Sequence, residues 1–319
     1  MKGDRMLQYI MKKAGSFLVI LIGITFISFL LSYLSPSDPV EIMMKKKGNM
    51  VSEEVIQQKR EELGLDQPLA VQYIKWLKGI ARGDFGVSYK SNKPVLQEIK
   101  KCLPNTIKLT ILSMILTMLI SIPIGILCAR YKDGLFDNVF RFITYLFSSL
   151  PSFFLALVLM YVFSLKFKLF PVIAKGNKGG IVMPALVLSL TLSAWYIRQV
   201  RAIILKELGK EYVDGLLARG LSEIKILFGH VLRNCLMPLV TLIGISFGTM
   251  LGGSTIVESI FTWPGVGKMA VDAITSRDYP VIQGYVVWMA VIFLAVNAVV
   301  ECSYSLIDPR IRRRKEEAE

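Results

Sequence analysis

Charged residues fall along this chain in blocks, and the gaps between the blocks are long. Six long stretches carry no Asp, Glu, Lys or Arg: 14 to 37, 109 to 129, 142 to 165, 179 to 197, 234 to 257 and 279 to 300. A helix rises about 1.5 Å per residue, so roughly 20 apolar residues cross a hydrocarbon core about 30 Å thick. A membrane barrel strand would instead alternate apolar and polar positions over about ten residues, and these runs are continuously apolar. The pattern predicts an all-α, polytopic membrane protein with six transmembrane helices, at 14–34 and at about 107–129, 140–165, 181–199, 236–257 and 281–304. Around them lie a short N-terminal segment 1–13, a segment 35–104 with short amphipathic helices, a loop 200–235 inside a five-helix domain 105–306, and a basic tail 307–319.

Composition and charge sharpen this. With 53% hydrophobic and 19% charged residues and a mean hydropathy of +0.52, a disordered or coiled-coil chain is excluded and a soluble enzyme is disfavoured. The first apolar run follows Lys2, Arg5, Lys12 and Lys13 as a signal peptide would. It outruns the roughly 7 to 15 residues of a signal core, and Ser35-Pro36-Ser37-Asp38-Pro39 offers no small-x-small cleavage pattern, so a retained anchor is expected. With the N-terminus inside, the inner segments hold 18 Lys and Arg, and the short outer segments 166–180 and 258–280 hold 6. Basic residues stay on the cytoplasmic side, so both termini are expected there and 35–104 is expected outside. The net charge of +14 then reflects topology and attraction to anionic membrane lipids, with no nucleic acid implied. The tail run Arg310, Arg312, Arg313, Arg314, Lys315 reads as a juxtamembrane lipid anchor.

The inventory for catalysis is thin. Four cysteines, at 102, 128, 235 and 302, show no metal-ligand spacing, and His230 is the one histidine. A metal centre or Cys/His nucleophile needs several ligands or a nucleophile with its base, so no catalytic residue, no metal and no enzyme activity are expected. No phosphate-binding glycine loop is present, so no cofactor is expected in this chain.

Outside, Ser52 is placed to cap a helix opening with Glu53 and Glu54 and stopping at Gly64, and Pro68 opens a second whose Tyr73, Trp76, Leu77 and Ile80 form a stripe. Inside, loop 200–235 divides at Gly209 and Gly220 into two amphipathic helices. One runs Glu211 to Arg219, with Tyr212, Val213, Leu216 and Leu217 on one side; the other runs Ser222 to Leu232, with Ile224, Leu227, Phe228, Val231 and Leu232 aligned. Two readings stand: a helical handle for a cytosolic partner, docking as a helix in a groove, or two helices lying on the lipid surface. Gly244, Gly248 and Gly252 recur every fourth residue, a face for close helix packing within or between chains. Ser148, Ser149 and Ser152 crowd Pro151, so the third span is expected to kink, with or without a polar cavity beside it. Glu301, four residues after Asn297, is an acid at the inner end of the last span.

These residues carry a resemblance. Glu211-Tyr212-Val213, then Ala218-Arg219-Gly220-Leu221-Ser222, then His230-Val231-Leu232-Arg233-Asn234 resembles the cytoplasmic loop by which inner-membrane permeases of dipeptide, oligopeptide and nickel ABC importers engage their ATPase. Glu258-Ser259-Ile260-Phe261-Thr262-Trp263-Pro264-Gly265-Val266-Gly267, with Arg277-Asp278-Tyr279-Pro280, resembles that family's stretch between the fifth and sixth helices. Gly64-Leu65-Asp66-Gln67-Pro68 and Gly83-Asp84-Phe85-Gly86 resemble its outer N-terminal segment, and the match runs to Asp308-Pro309-Arg310. Against the wider permease pattern of Glu-Ala-Ala, three residues, Gly, nine residues, Ile-x-Leu-Pro, the chain has Asp214-Gly215-Leu216 and, ending in Arg233 instead of proline, His230-Val231-Leu232-Arg233.

The resemblance implies a type I ABC importer permease in a prokaryotic inner membrane, working with a second homologous permease subunit, two cytosolic ATPases that bind ATP and Mg, and an external solute-binding protein. It implies ATPase coupling through Glu211, Tyr212, Val213, Asp214, Leu216, Leu217, Ala218, Arg219 and Gly220, with the four apolar side chains as the insert and Glu211, Asp214 and Arg219 as orienting charges. Ser148, Ser149, Pro151 and Ser152 become candidates for lining the pathway. Nickel, in chelated form, and di- or oligopeptides both fit as cargo; Pro94-Val95-Leu96 and the Asp308 to Arg313 ending lean to nickel. The rival classes are an ATP-independent channel or secondary transporter and a membrane-embedded enzyme, both of which want charged groups at membrane depth that the spans lack.

Overall fold

The computed structural model describes residues 2–34, 40 and 53–307. The cap expected at Ser52 and the tail from 308 onward lie outside these residues, as do the side chains of Lys2, Arg5, Lys12, Lys13, Glu301 and Cys302. In chain order the helices are α1 (Lys2–Tyr33), α2 (Glu53–Leu63), α3 (Leu69–Ala81), α4 (Val95–Arg130), α5 (Leu135–Ser149), α6 (Ser152–Lys166), α7 (Val182–Leu208), α8 (Glu211–Ala218), α9 (Glu223–Gly252), α10 (Thr255–Ile260), α11 (Val266–Thr275) and α12 (Tyr279–Ile307). Among the described residues there is no strand, only an antiparallel bridge between Val87 and Pro94.

Four of these helices are long and apolar enough to cross a membrane: Gly15–Tyr33 within α1, α4, α9, and Tyr279–Val299 within α12. The pair α5 and α6 makes a fifth if it is one span, although it bends by 103°. The kink expected in the third span, 140–165, is thus a sharp break between α5 and α6. Pro151 has no N–H to continue the helix and forces its predecessor out of the helical region, and Leu150 sits extended at φ −87°, ψ 128°. The fourth uncharged run opens α7, which goes on through Arg198, Arg201, Lys206 and Glu207.

Two other boundaries move. α4 begins at Val95, so the last turns of the segment expected to end at 104 belong to a 36-residue helix. The second helix expected in loop 200–235 is not separate: it is the opening of α9, joined to the rest by a π turn at Leu227–Val231. A π turn absorbs one extra residue without breaking the helix, and Gly229 alone is too weak a breaker to end it.

The chain divides into two compact units, residues 1–104 with 265–294 and residues 105–264 with 295–319. In the first, the stripe expected on α3 packs against α1: the Tyr73 hydroxyl lies 3.0 Å from Thr25 Oγ1, and its ring meets Phe26 and Phe29 at 5.4 and 5.5 Å between centroids. Gly284 brings α12 close to the start of α4, where an added Cβ would lie 2.6 Å from Val95 Cγ1. Asp278, 2% exposed, accepts bonds from Ser88 Oγ (2.6 Å) and from the backbone N–H groups of Tyr89 (3.0 Å) and Lys90 (3.1 Å), fastening the turn 84–94.

The second unit is built on α4 and α7. Thr106, Thr110, Ser113, Thr117 and Ser121 form a fully buried hydroxyl stripe along α4. Thr117 Oγ1 reaches the Ser189 carbonyl at 3.5 Å, and two turns later Gly125 permits a close approach, since a Cβ there would lie 2.7 Å from Val200 Cβ and 3.1 Å from the Ile197 carbonyl. Small residues of this kind let two helices approach in a medium that offers no hydrophobic drive.

Candidate functional site

The segment joining α7 to α9 is held by a buried acid. Glu207 ends α7, a poor place for an acid beside the negative end of a helix, so it needs partners. It has three: Lys210 Nζ at 2.5 Å, the Tyr212 hydroxyl at 3.0 Å and Asn234 Nδ2 at 3.0 Å, and Asn234 also donates to the Tyr212 oxygen at 3.2 Å. Burial opposes ionisation of Glu207, but the hydrogen bonds from Lys210, Tyr212 and Asn234 outweigh it and hold the carboxyl below its ordinary range. Three elements, α7, α8 and α9, thus meet on one carboxylate.

α8 itself is closed by Gly220 at φ +77°. The Gly220 N–H donates to the Leu217 carbonyl (2.9 Å) and the Leu221 N–H to the Leu216 carbonyl (3.2 Å), a left-handed C-terminal cap that glycine takes without strain. Glu211 and Asp214 lie in the first turn, where the helix dipole favours acids. The predicted apolar insert is split by this geometry. Val213 is 4% exposed and joins Ile126, Val200, Ile204, Ile226 and Val231 in a core, with Tyr212 and Leu216 packed against it. Leu217 is 44% exposed, with Glu211, Asp214, Ala218 and Arg219 beside it and Ile224 and Phe228 of α9 also exposed. Between α8 and α9 lies a groove of about 260 Å³ lined in part by Val213, Asp214, Leu217, Glu223 and Ile224.

A second fastening lies nearby. Asp137, fully buried, accepts two bonds from Arg201 (Nε 2.7 Å, Nη2 2.6 Å) and one from Arg141 (2.7 Å). Arg198, one turn earlier on α7, donates to the Thr144 carbonyl (3.0 Å) and Ser148 Oγ (2.8 Å) while stacking over Tyr145. The two arginines clasp both ends of α5, and sequence reading missed them along with Glu207. The available signal was one of place: Glu207 is the sole acid in α7, and Arg198 and Arg201 directly follow an apolar run.

The other predicted residues are dispersed. Ser148, Ser149 and Pro151 are exposed and Ser152 half-buried around the break between α5 and α6. Gly244 and Gly248 are buried on α9, whereas a Cβ at Gly252 would meet nothing within 4 Å. In the outer motif, Glu258 is fully buried and accepts from Thr106 Oγ1 (2.7 Å) and Ser254 Oγ (3.1 Å). Trp263 Nε1 donates to the Asn105 carbonyl (3.1 Å), and Asn105 Nδ2 donates to the Pro264 carbonyl (2.9 Å).

Comparison with known proteins then decides the family. Residues 121–313 match the binding-protein-dependent transport system inner membrane component family, and residues 6–110 match the N-terminal part described for the same kind of transport protein. The chain belongs to this family. The dipeptide transport system permease protein DppB of Escherichia coli K12 is 33% identical, the match covering 97% of this chain and all of the relative. The oligopeptide transport system permease protein AppB of Bacillus subtilis 168 is 36% identical over 96% of this chain and 99% of the relative. The glutathione transport system permease protein GsiC of Salmonella choleraesuis SC-B67 is 35% identical over 96% of this chain and 99% of the relative. Among solved structures, the inward-facing MetNI methionine ABC transporter superposes with a TM-score of 0.57 at 17% identity, over 67% of this chain and 97% of that one, and so shares the fold. The chain is thus a multi-pass membrane component of a binding-protein-dependent transport system.

Proposed function

We propose that this chain is one permease subunit of an ATP-driven importer for short peptides in a prokaryotic inner membrane. It crosses six times, with α7 and the bent pair α5–α6 as spans and both termini inside. A second homologous permease completes the pathway, an external solute-binding protein delivers the cargo, and two cytosolic ATPases supply ATP, Mg and the energy. The relatives named for dipeptides, oligopeptides and glutathione support the peptide class, and nickel is the competing cargo. The observation that carries the coupling role is the division of α8 into a packed face and an exposed one. Leu217, with Glu211, Asp214, Ala218 and Arg219, meets the ATPase; Tyr212, Val213, Leu216 and Gly220 hold that face in place. Gly244, Gly248 and Gly252 pack helices, and Ser148, Ser149, Pro151 and Ser152 line part of the pathway. Reversing a two-state preference from 1:99 to 99:1 takes about 5.5 kcal/mol, so α8 needs firm anchorage to pass closure of the ATPases on to α7 and α9.

The test is reconstitution of the chain with its partner subunits in liposomes, with labelled dipeptide, glutathione and nickel competing for uptake. Uptake that requires ATP and both ATPases, and is blocked by excess peptide, supports the reading. Uptake by the chain without ATPases sinks it, and competition by nickel alone moves the cargo to the metal. Gly220→Pro should release the ATPases while the purified chain stays folded in detergent.

A further inference from the structure

The short outer loop after α6 departs from the charge rule that orients the chain. Lys166, Lys168, Lys175 and Lys178 are all exposed, no Asp or Glu occurs between Asp137 and Glu207, and among the described residues none of the four has an ion-pair partner. The loop is nonetheless firmly built. The Phe167 N–H bonds the Val162 carbonyl (3.0 Å) and the Leu169 N–H the Phe163 carbonyl (2.9 Å), with Lys168 at φ +55°. Asn177 Nδ2 bonds the Ile173 carbonyl (2.8 Å), Gly176 and Gly179 turn at positive φ, and a Cβ on Gly180 would strike the Ala174 carbonyl. Between the lysines stand large exposed apolar side chains: Leu165 at 54%, Phe167 at 58%, Leu169 at 64% and Ile173 at 54%. These continue a stripe of exposed apolar residues on α6, Leu157 and Tyr161 at i and i+4. The apolar surface therefore runs from the helix into the loop without interruption.

We infer that residues 165–178 form an anchor for anionic lipid. Phe167, Leu169 and Ile173 enter the boundary between headgroups and acyl chains, and the lysines take the phosphate of phosphatidylglycerol-type headgroups in that leaflet. Continuity with the exposed apolar stripe of α6, a helix read as part of a membrane span, favours lipid over an external protein as the occupant. The inference rests on the reading of the chain as a membrane permease, which ATP-driven uptake by the same preparation tests separately.

The experiment is tryptophan quenching in nanodiscs holding the assembled importer, with Phe167→Trp read as the difference from the parent protein. Brominated phosphatidylglycerol should quench this tryptophan about fivefold more effectively than brominated phosphatidylcholine, and Lys→Gln at all four positions should equalise the two. A second readout, independent of the tryptophan, is the ratio of phosphatidylglycerol to phosphatidylcholine retained on purification, which should fall in the fourfold variant. Equal quenching by both lipids in the parent background, or a preference that survives the fourfold variant, overturns the inference. So does a tryptophan that neither lipid quenches and that is shielded only when the soluble external binding protein is added. If uptake is intact while the lipid preference is absent, the loop assignment alone falls.

Discussion

The stretch 254–264 and the inner segment 211–220 are both short and carry acids, Glu258 in the first and Glu211 and Asp214 in the second, and they use Glu258 and Asp214 in opposite ways. Glu258 is turned inward and its carboxylate is met by Thr106 and Ser254, while Trp263 and Asn105 complete the fastening. Asp214 is exposed at the mouth of a groove beside exposed Leu217. In the first stretch Glu258 and Trp263 are spent on contacts within the chain, so both serve as scaffold. In the second, Glu211, Asp214 and Arg219 are left exposed, while Tyr212 ties the segment back, through Glu207, a residue outside the motif. A motif marks importance in both places, and only burial tells which kind.

The strongest way to break this contrast is at Glu258. Glu258→Ala removes the buried acceptor of the Thr106 and Ser254 hydroxyls and opens a void, so it should cost about 3 kcal/mol. The measurement is thermal unfolding in detergent, with a control in which Asp214→Ala changes stability by no more than about 0.5 kcal/mol. Equal losses would mean that the two acids do the same job. Next comes a pair of glycines. Gly125→Ala pushes a Cβ against Val200 and should cost about 2 kcal/mol, whereas Gly252→Ala meets open space and should cost little. A destabilised Gly252→Ala within the assembled importer but not in the isolated chain would place another subunit against that face.

Much of this was legible in the sequence for a plain reason: uncharged runs of about 20 residues admit few structures in a membrane. Gly64 and Gly220 were readable as helix stops because positive φ is cheap only for glycine, and both take it, at +67° and +77°. What escaped reading is what depends on tertiary geometry. The stripe on α3 was visible, but its partner α1 was not. Glu207, Arg198 and Arg201 had no motif to announce them, because their meaning lies in Tyr212, Asn234, Thr144 and Asp137, which the fold brings to them. The four apolar residues of α8 were assigned one face, yet periodicity cannot say how much of a helix its neighbours cover, and Val213 is inside while Leu217 is not.

Glu207 offers a finer test of how the inner segment is held. Its carboxyl lies below the ordinary range, so its contribution is complete above the usual Glu pKa of about 4.3 and is lost as pH falls below that toward the folded value. Glu207→Gln should lower stability by about 1 kcal/mol at neutral pH and flatten the acid limb of the stability curve. An unchanged acid limb would mean that the carboxylate is not the tie between α7, α8 and α9.

The smallest effect on stability is expected at Leu217, and it separates scaffold from surface most directly. Leu217 and Val213 lie one turn apart on α8, one exposed and one buried. Val213→Ala removes two methyl groups from a packed cluster and should cost about 1.5 kcal/mol of stability. Leu217→Ala should change stability by no more than about 0.5 kcal/mol yet lower ATP-driven uptake about tenfold, the loss expected when a central contact in a docking surface is truncated. The check is unfolding and uptake measured on the same preparations. If Leu217→Ala leaves uptake intact, the exposed face of α8 meets lipid, and coupling must run through Ile224 and Phe228 on α9 instead.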